Sequence, residues 1–294
     1  MGDIAAPASA EAKPLYKAIE MEERLDIWFF HPLGYRIAKW SHGAGLLPDH
    51  ISYASIALGV AGGAMLAWRG LVFWGWWLLV LSSVLDSADG QLARMRGGGT
   101  LRGRILDGLI GYFSFTAAYL GMGAAITGAG AGIFPVAALI LAAGAATALE
   151  ASMYDFHRTA FAAIVSRGEL PDELGADAGG AFGSVYALYG WYQRFLAAGH
   201  CGLLAALRGK FGGAVPLEIR ARYLAANRRN IRFWNLLGDN TRFLLIALAF
   251  ALGRPEWYFC AVLIPLVILM LVMSAVQRES DAALARNLGL ELPA

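Results

Sequence analysis

The sequence predicts an all-α integral membrane protein: six transmembrane helices preceded by an interfacial amphipathic helix, with both termini on the cytoplasmic side. Three observations predict it. Hydrophobic residues make up 58% of the chain and charged ones 16%, and mean hydropathy is +0.52, too apolar for an ordinary soluble domain. Six apolar stretches are each long enough to cross about 30 Å of hydrocarbon. Lys and Arg are split 22 to 2 between the two sides of those stretches, and the rich side reads as cytoplasmic. The two on the poor side are Arg69 and Arg254.

Residues 1–22 are polar and read as a disordered N-terminus, with no basic segment leading into an apolar core and so no evident secretory signal. Residues 23–47 form the interfacial helix. Trp28, Phe29, Phe30, Tyr35 and Trp40 are interleaved there with Arg24, Arg36 and Lys39, which suits aromatic rings at headgroup level. Pro32 is expected to break it, and a plain membrane anchor fits as well as substrate contact. The transmembrane domain covers 48–276, with spans near 50–68, 71–92, 104–126, 132–154, 236–253 and 256–276. A cytoplasmic or interfacial insertion occupies about 155–235, and 277–294 is a C-terminal tail. Within the insertion, 168–183 reads as a flexible acidic loop, a lid being its functional alternative, and 186–213 as a second interfacial or re-entrant helix.

The chemistry concentrates in LDSADGQLARMRGGGTLRGRILDGLIGY, residues 85–112. On a helix, Asp86, Asp89, Gly90, Ala93 and Arg94 share one face; on the next, Gly103, Asp107 and Gly111 share another. A hairpin through MRGGGT turns the two faces toward each other, so three carboxylates converge at the inner mouth of the bundle. Unpaired, they would repel one another. A hard divalent cation resolves this, since oxygen ligands suit Mg²⁺, Mn²⁺ or Ca²⁺, and Mg²⁺ on few carboxylates keeps positions open for phosphate oxygens. The small residues leave room for a ligand, and Arg94 offers a charge-assisted contact to phosphate. Helix caps or solvated charges are the plainer reading of any one aspartate.

Those residues resemble the signature of the CDP-alcohol phosphotransferase family, D-x2-D-G-x2-A-R-x8-G-x3-D-x3-D. Asp86, Asp89, Gly90, Ala93, Arg94, Gly103 and Asp107 occupy the first seven fixed positions with the expected gaps. The resemblance covers about residues 23–153 closely and the last two spans in outline. It implies a CDP-linked donor, often CDP-diacylglycerol, bound through its diphosphate to one or two Mg²⁺ or Mn²⁺ ions. An alcohol then attacks the β-phosphorus and CMP leaves. Carried over, Asp86, Asp89 and Asp107 are metal ligands, and Gly90, Ala93, Arg94 and Gly103 shape the nucleotide site. The stretch PDHIS, 48–52, resembles the family's P-N-x-x-[ST] donor element, which adds Asp49 (in place of Asn) and Ser52 to the donor set.

The chain departs from the signature at its eighth position, where Gly111 replaces the Asp that in this family helps bind a second metal and acts as general base. Tyr112 follows, a poor base near neutral pH. Three explanations compete: a replacement base, for which Glu150, Asp155 and His157 are candidates; an acceptor that carries its own base, such as a phosphate; or a protein that binds CDP-alcohols without turning them over. Arg158, Arg228 and Arg232 are candidates for holding an anionic acceptor, although positive-inside topology accounts for most arginines of the 155–242 region.

The expectation is therefore an enzyme of phospholipid synthesis in a bacterial inner membrane, its site facing the cytoplasm. It transfers a phosphatidyl group from CDP-diacylglycerol or a related donor to a polar alcohol. The alternative is a non-catalytic CDP-lipid binder or scaffold. A transporter would place its charges nearer the bilayer midplane. Partners are membrane lipids and a second copy in a homodimer, with Gly59, Gly62 and Gly63 offered for close packing. No nucleic acid is expected. Cys201 and Cys260 suggest no disulfide, and the five histidines show no zinc spacing.

Overall fold

The structure, a computed structural model, describes residues 21–98, 101–171 and 195–292, and at 101–102 and 104–109 the backbone alone. Among the described residues regular structure is helical, with one isolated bridge between Glu169 and Ala214. A π-helical turn, Asp26–Phe30, leads into α1 (His31–Gly43). Then follow α2 (Pro48–Met65), α3 (Val72–Met95), α4 (Leu101–Gly128) and α5 (Ile133–Ala162). The other α-helices are α6 (Ala198–Phe211), α7 (Leu217–Trp234), α8 (Asp239–Ala251), α9 (Glu256–Ala261) and α10 (Val267–Leu288), and short 3₁₀ or π turns adjoin several of them.

Three helical stretches are long and apolar enough to cross a membrane among the described residues: Arg69–Met95, Ile133–Arg167 and Glu256–Leu288. The expected fifth span is shorter than read. Its helix, α8, has 13 residues, about 20 Å at 1.5 Å per residue. The expected tail is largely helix, since α10 runs on to Leu288. Most of the 168–183 loop, and 186–194 of the expected second interfacial helix, lie outside the described residues, as do residues 1–20. Pro32 does not break its segment. It sits in the first turn of α1, where a missing N–H goes unnoticed, and the helix changes there from π to α type.

The chain divides into two compact units, Met1–Ala145 with Asn240–Ala261, and Ala146–Asp239 with Val262–Ala294. In the first, α2 packs along both α3 and α4, and glycine makes this approach possible. A Cβ on Gly63 would lie 2.3 Å from the Ala118 backbone nitrogen on α4, and one on Gly62 2.6 Å from the Gly75 carbonyl oxygen on α3. Gly59 backs onto Ser114 and Ser82. These three glycines are thus used up inside the chain, which corrects their assignment to a homodimer interface. Beside them Ser55 and Ser82 exchange hydrogen bonds, each hydroxyl donating to the other's carbonyl at 2.7 and 2.8 Å. Such bonds satisfy polar groups that lipid cannot. α1 lies against α3, where a Cβ on Gly34 would stand 3.0 Å from the Ser87 hydroxyl. Ala38, Ile51, Ala88 and Leu92 form the small core beneath α1.

The second unit has a polar interior. His200 Nδ1 lies 2.9 Å from Asp281 Oδ2, and its Nε2 lies 3.2 Å from the Tyr223 hydroxyl. Gln277 bridges Asn227, at 2.6 Å, and Asp281, at 2.8 Å. All of these side chains are buried. The network ties α6 and α7 to the second half of α10, within the stretch expected as a C-terminal tail.

Candidate active site

The site is built on the last two turns of α3. Asp86 and Asp89 are three residues apart, so one face of the helix carries both carboxylates, and Gly90, Ala93 and Arg94 continue that face toward its end. α3 stops there for a local reason: Gly97 and Gly98 take φ of +94° and +126°, values that only glycine adopts without strain.

Asp89 is buried, at 4% exposure, and accepts a hydrogen bond from the Ser52 hydroxyl at 2.5 Å. Ser52 stands in the second turn of α2 because Pro48 opens that helix after an extended Leu47, and His50 Nδ1 receives the Leu47 N–H at 3.4 Å. Asp49 sits half-buried in the first turn, where the helix dipole favours a carboxylate. The PDHIS segment therefore reaches Asp89 through Ser52, as a buried carboxylate requires. Among the described residues, a Cβ on Gly90 would find only Arg94 Nη1 nearby, at 3.4 Å, so a guanidinium leans across that face.

On α4, Gly103 is half-buried, and among the described residues nothing lies within 4 Å of a Cβ placed on Gly111. Asp107 lies on α4 between them, and its side chain is outside the described residues. Carboxylate and hydroxyl oxygens beside small residues are the donor set that a hard divalent cation such as Mg²⁺ or Mn²⁺ takes.

A support that sequence reading missed holds this face from behind. His31 Nδ1 lies 2.9 Å from Ser87 Oγ, and Gln91 Nε2 donates to both Ser87 Oγ and the His31 carbonyl at 3.1 and 3.2 Å. Ser87 and Gln91 alternate with the aspartates along α3, so α1 buttresses the helix that carries them. His31 Nε2 also meets Glu22 at 3.3 Å, and ligand atoms of Glu22, Asp26 and His31 lie within 4.8 Å of one another. The spacing gives no α-helical cue because the π turn brings residues five apart onto one face, and the His31 N–H bonds the Asp26 carbonyl across it. Asn240 completes the cluster, donating to Glu23 and Asp26 at 2.9 and 3.0 Å.

Residues 45–192, half of the chain, match the family described as CDP-alcohol phosphatidyltransferase. The chain belongs to the CDP-alcohol phosphatidyltransferase family. It is accordingly an integral membrane protein, in keeping with its three membrane-competent helices. Two curated relatives are both named phosphatidylinositol phosphate synthase. The one from Mycolicibacterium smegmatis is 38% identical over 71 residues, 24% of this chain and 32% of its own length. The one from Mycobacteroides abscessus is 39% identical over 64 residues, 22% of this chain and 29% of its own length. The chain thus aligns with about a third of each. No solved structure matches it significantly.

The remaining candidates of this family member belong to the second unit. Glu150 is fully buried on α5. His157 is buried and stacks on Trp234, ring centroids 4.3 Å apart, with His200 edge-on at 5.0 Å. Asp155 is exposed on the same helix. Arg158 hydrogen-bonds the Tyr154 hydroxyl and lies over its ring at 5.0 Å. Arg228 and Arg232 stand on the exposed face of α7 with Arg222 and Arg229, opposite a buried face of Ile219, Tyr223, Asn227, Ile231 and Trp234. The family match includes Glu150, Asp155, His157 and Arg158 but ends before Arg228.

Proposed function

We propose that the protein transfers a phosphatidyl group from CDP-diacylglycerol to a polar alcohol and releases CMP. The observation that carries this reading is the Ser52–Asp89 hydrogen bond. It joins the donor-side segment to the carboxylate pair of α3 at the position where the family signature needs both. Asp86, Asp89 and Asp107 would hold Mg²⁺ or Mn²⁺, as one ion or two. A divalent cation there would neutralise charge on the diphosphate.

The chain's own residues do the rest. Asp89 is oriented by Ser52, and Arg94 supplies hydrogen-bond donors toward phosphate oxygens over Gly90, with Ala93 and Gly103 leaving space for the nucleotide and Asp49 at its edge. The acceptor oxygen forms its new bond to the lipid-bearing phosphorus. The bond from that phosphorus to the bridging oxygen breaks, and CMP departs with the electron pair. The hydroxyl proton goes to a base that Gly111 does not provide. Among Glu150, Asp155 and His157, exposed Asp155 can return a proton to water most readily, and we place it first. The relatives' names point to a phosphorylated product, so a phosphorylated polyol is the acceptor class we favour, with Arg158, Arg228 and Arg232 as its anion contacts.

The setting we propose is six spans, both termini and the site facing the cytoplasm of a bacterial inner membrane, and a homodimer whose interface does not use Gly59, Gly62 or Gly63. Gly111 favours a second reading, a CDP-lipid binder without turnover. The test is CMP release from CDP-diacylglycerol by purified protein with Mg²⁺ or Mn²⁺ and a panel of phosphorylated and plain polyols. Turnover should vanish with EDTA and fall on the order of 100-fold or more in Asp89→Asn. Metal-dependent donor binding without CMP release would favour the binder, and absence of donor binding would sink both readings.

A further inference from the structure

The end of the first unit remote from Asp86 and Asp89 holds a cavity of about 1390 Å³, and nothing in the proposed reaction uses it. Its walls are apolar, among them Trp76, Ile126, Val136, Ile246 and Phe250. At its rim stand Arg69, Arg254 and Glu256. These arginines are the two basic residues that the sequence places on the side poor in positive charge. Both face one cavity. Arg254 pairs with Glu256 at 3.3 Å, and Arg69 has no ion pair among the described residues, so the rim keeps a net positive charge. The three membrane-competent stretches Arg69–Met95, Ile133–Arg167 and Glu256–Leu288 begin here, and residues of their first turns line the cavity. Their N-terminal dipole ends add to the attraction for an anion.

We propose that this cavity binds one anionic phospholipid, its acyl chains against the apolar walls and its phosphate at Arg69 and Arg254. A soluble metabolite is a poor fit, because pockets for small molecules run to roughly 300–1,000 Å³ and carry several convergent polar groups. Here polar groups are confined to the rim and aromatic rings sit just inside it, as at a membrane interface. The bound lipid is distinct from the donor, whose phosphates belong at the other end of the helices.

The test is native mass spectrometry of the delipidated full chain in detergent, titrated with phosphatidylglycerol or phosphatidylcholine of matched acyl chains. The wild type should retain one phosphatidylglycerol with a preference over phosphatidylcholine on the order of tenfold, and Arg69→Gln/Arg254→Gln should lose that preference. Arg229→Gln/Arg286→Gln, exposed arginines elsewhere, should keep it. Ala129→Trp, which fills the cavity from its wall, should lower retention of both lipids. A preference that survives the Arg69/Arg254 change, or is absent from the wild type, overturns the assignment, as would displacement of the lipid by inorganic phosphate alone.

Discussion

At the scale of single residues, the site contrasts a fastened carboxylate with an empty position. Asp89 is buried and held by a hydroxyl from another helix, so its orientation is set before any ligand arrives. Gly111 is the reverse, a position where the family signature has a carboxylate and this chain has glycine. Gly111→Asp meets no steric obstacle among the described residues, and we expect its melting temperature to match the wild type. If the base lies on another residue, CMP release should not rise. A large gain would instead mean that the chain had lost its base without replacing it.

At the scale of elements, α2 is the member around which the first unit closes. Gly62 and Gly63 let it meet α3 and α4 backbone to backbone, and Ser55 and Ser82 bind across the seam. Ser52, a few residues earlier on the same helix, reaches Asp89 only because that seam is tight. Gly63→Leu should therefore lower stability by about 1–3 kcal/mol or more through overpacking against α4, and it should reduce donor binding as Ser52 moves away. Thermal unfolding in detergent and donor titration check the two effects separately. The three seam glycines were legible as packing residues from their spacing, but their partner was not: sequence spacing marks a small-residue face without saying whose backbone covers it.

At the scale of the whole molecule, two units divide the chain, and the second is organised by buried polar side chains. Burial, and beyond it the nearby Asp281 charge, push the Tyr223 hydroxyl well above its ordinary pKa. The folded state keeps a proton that the unfolded chain releases near pH 10. Tyr223 thus contributes stability that is fully present below about pH 10 and is lost as pH rises beyond it. The unfolding midpoint should be flat from about pH 7 to 9 and fall above 10, and Tyr223→Phe should remove part of that fall.

The sequence by itself determined the helical membrane class, the register of Asp86, Asp89, Gly90, Ala93 and Arg94, and the family that register implies, because a 3.6-residue period and a fixed motif are local properties of the chain. Only the tertiary structure decided which hydroxyl holds Asp89, that α1 braces α3 through His31, Ser87 and Gln91, and that both arginines of the far side face one cavity. Those pairings join residues tens of positions or more apart, and what brings them together is packing between helices rather than any pattern along one of them.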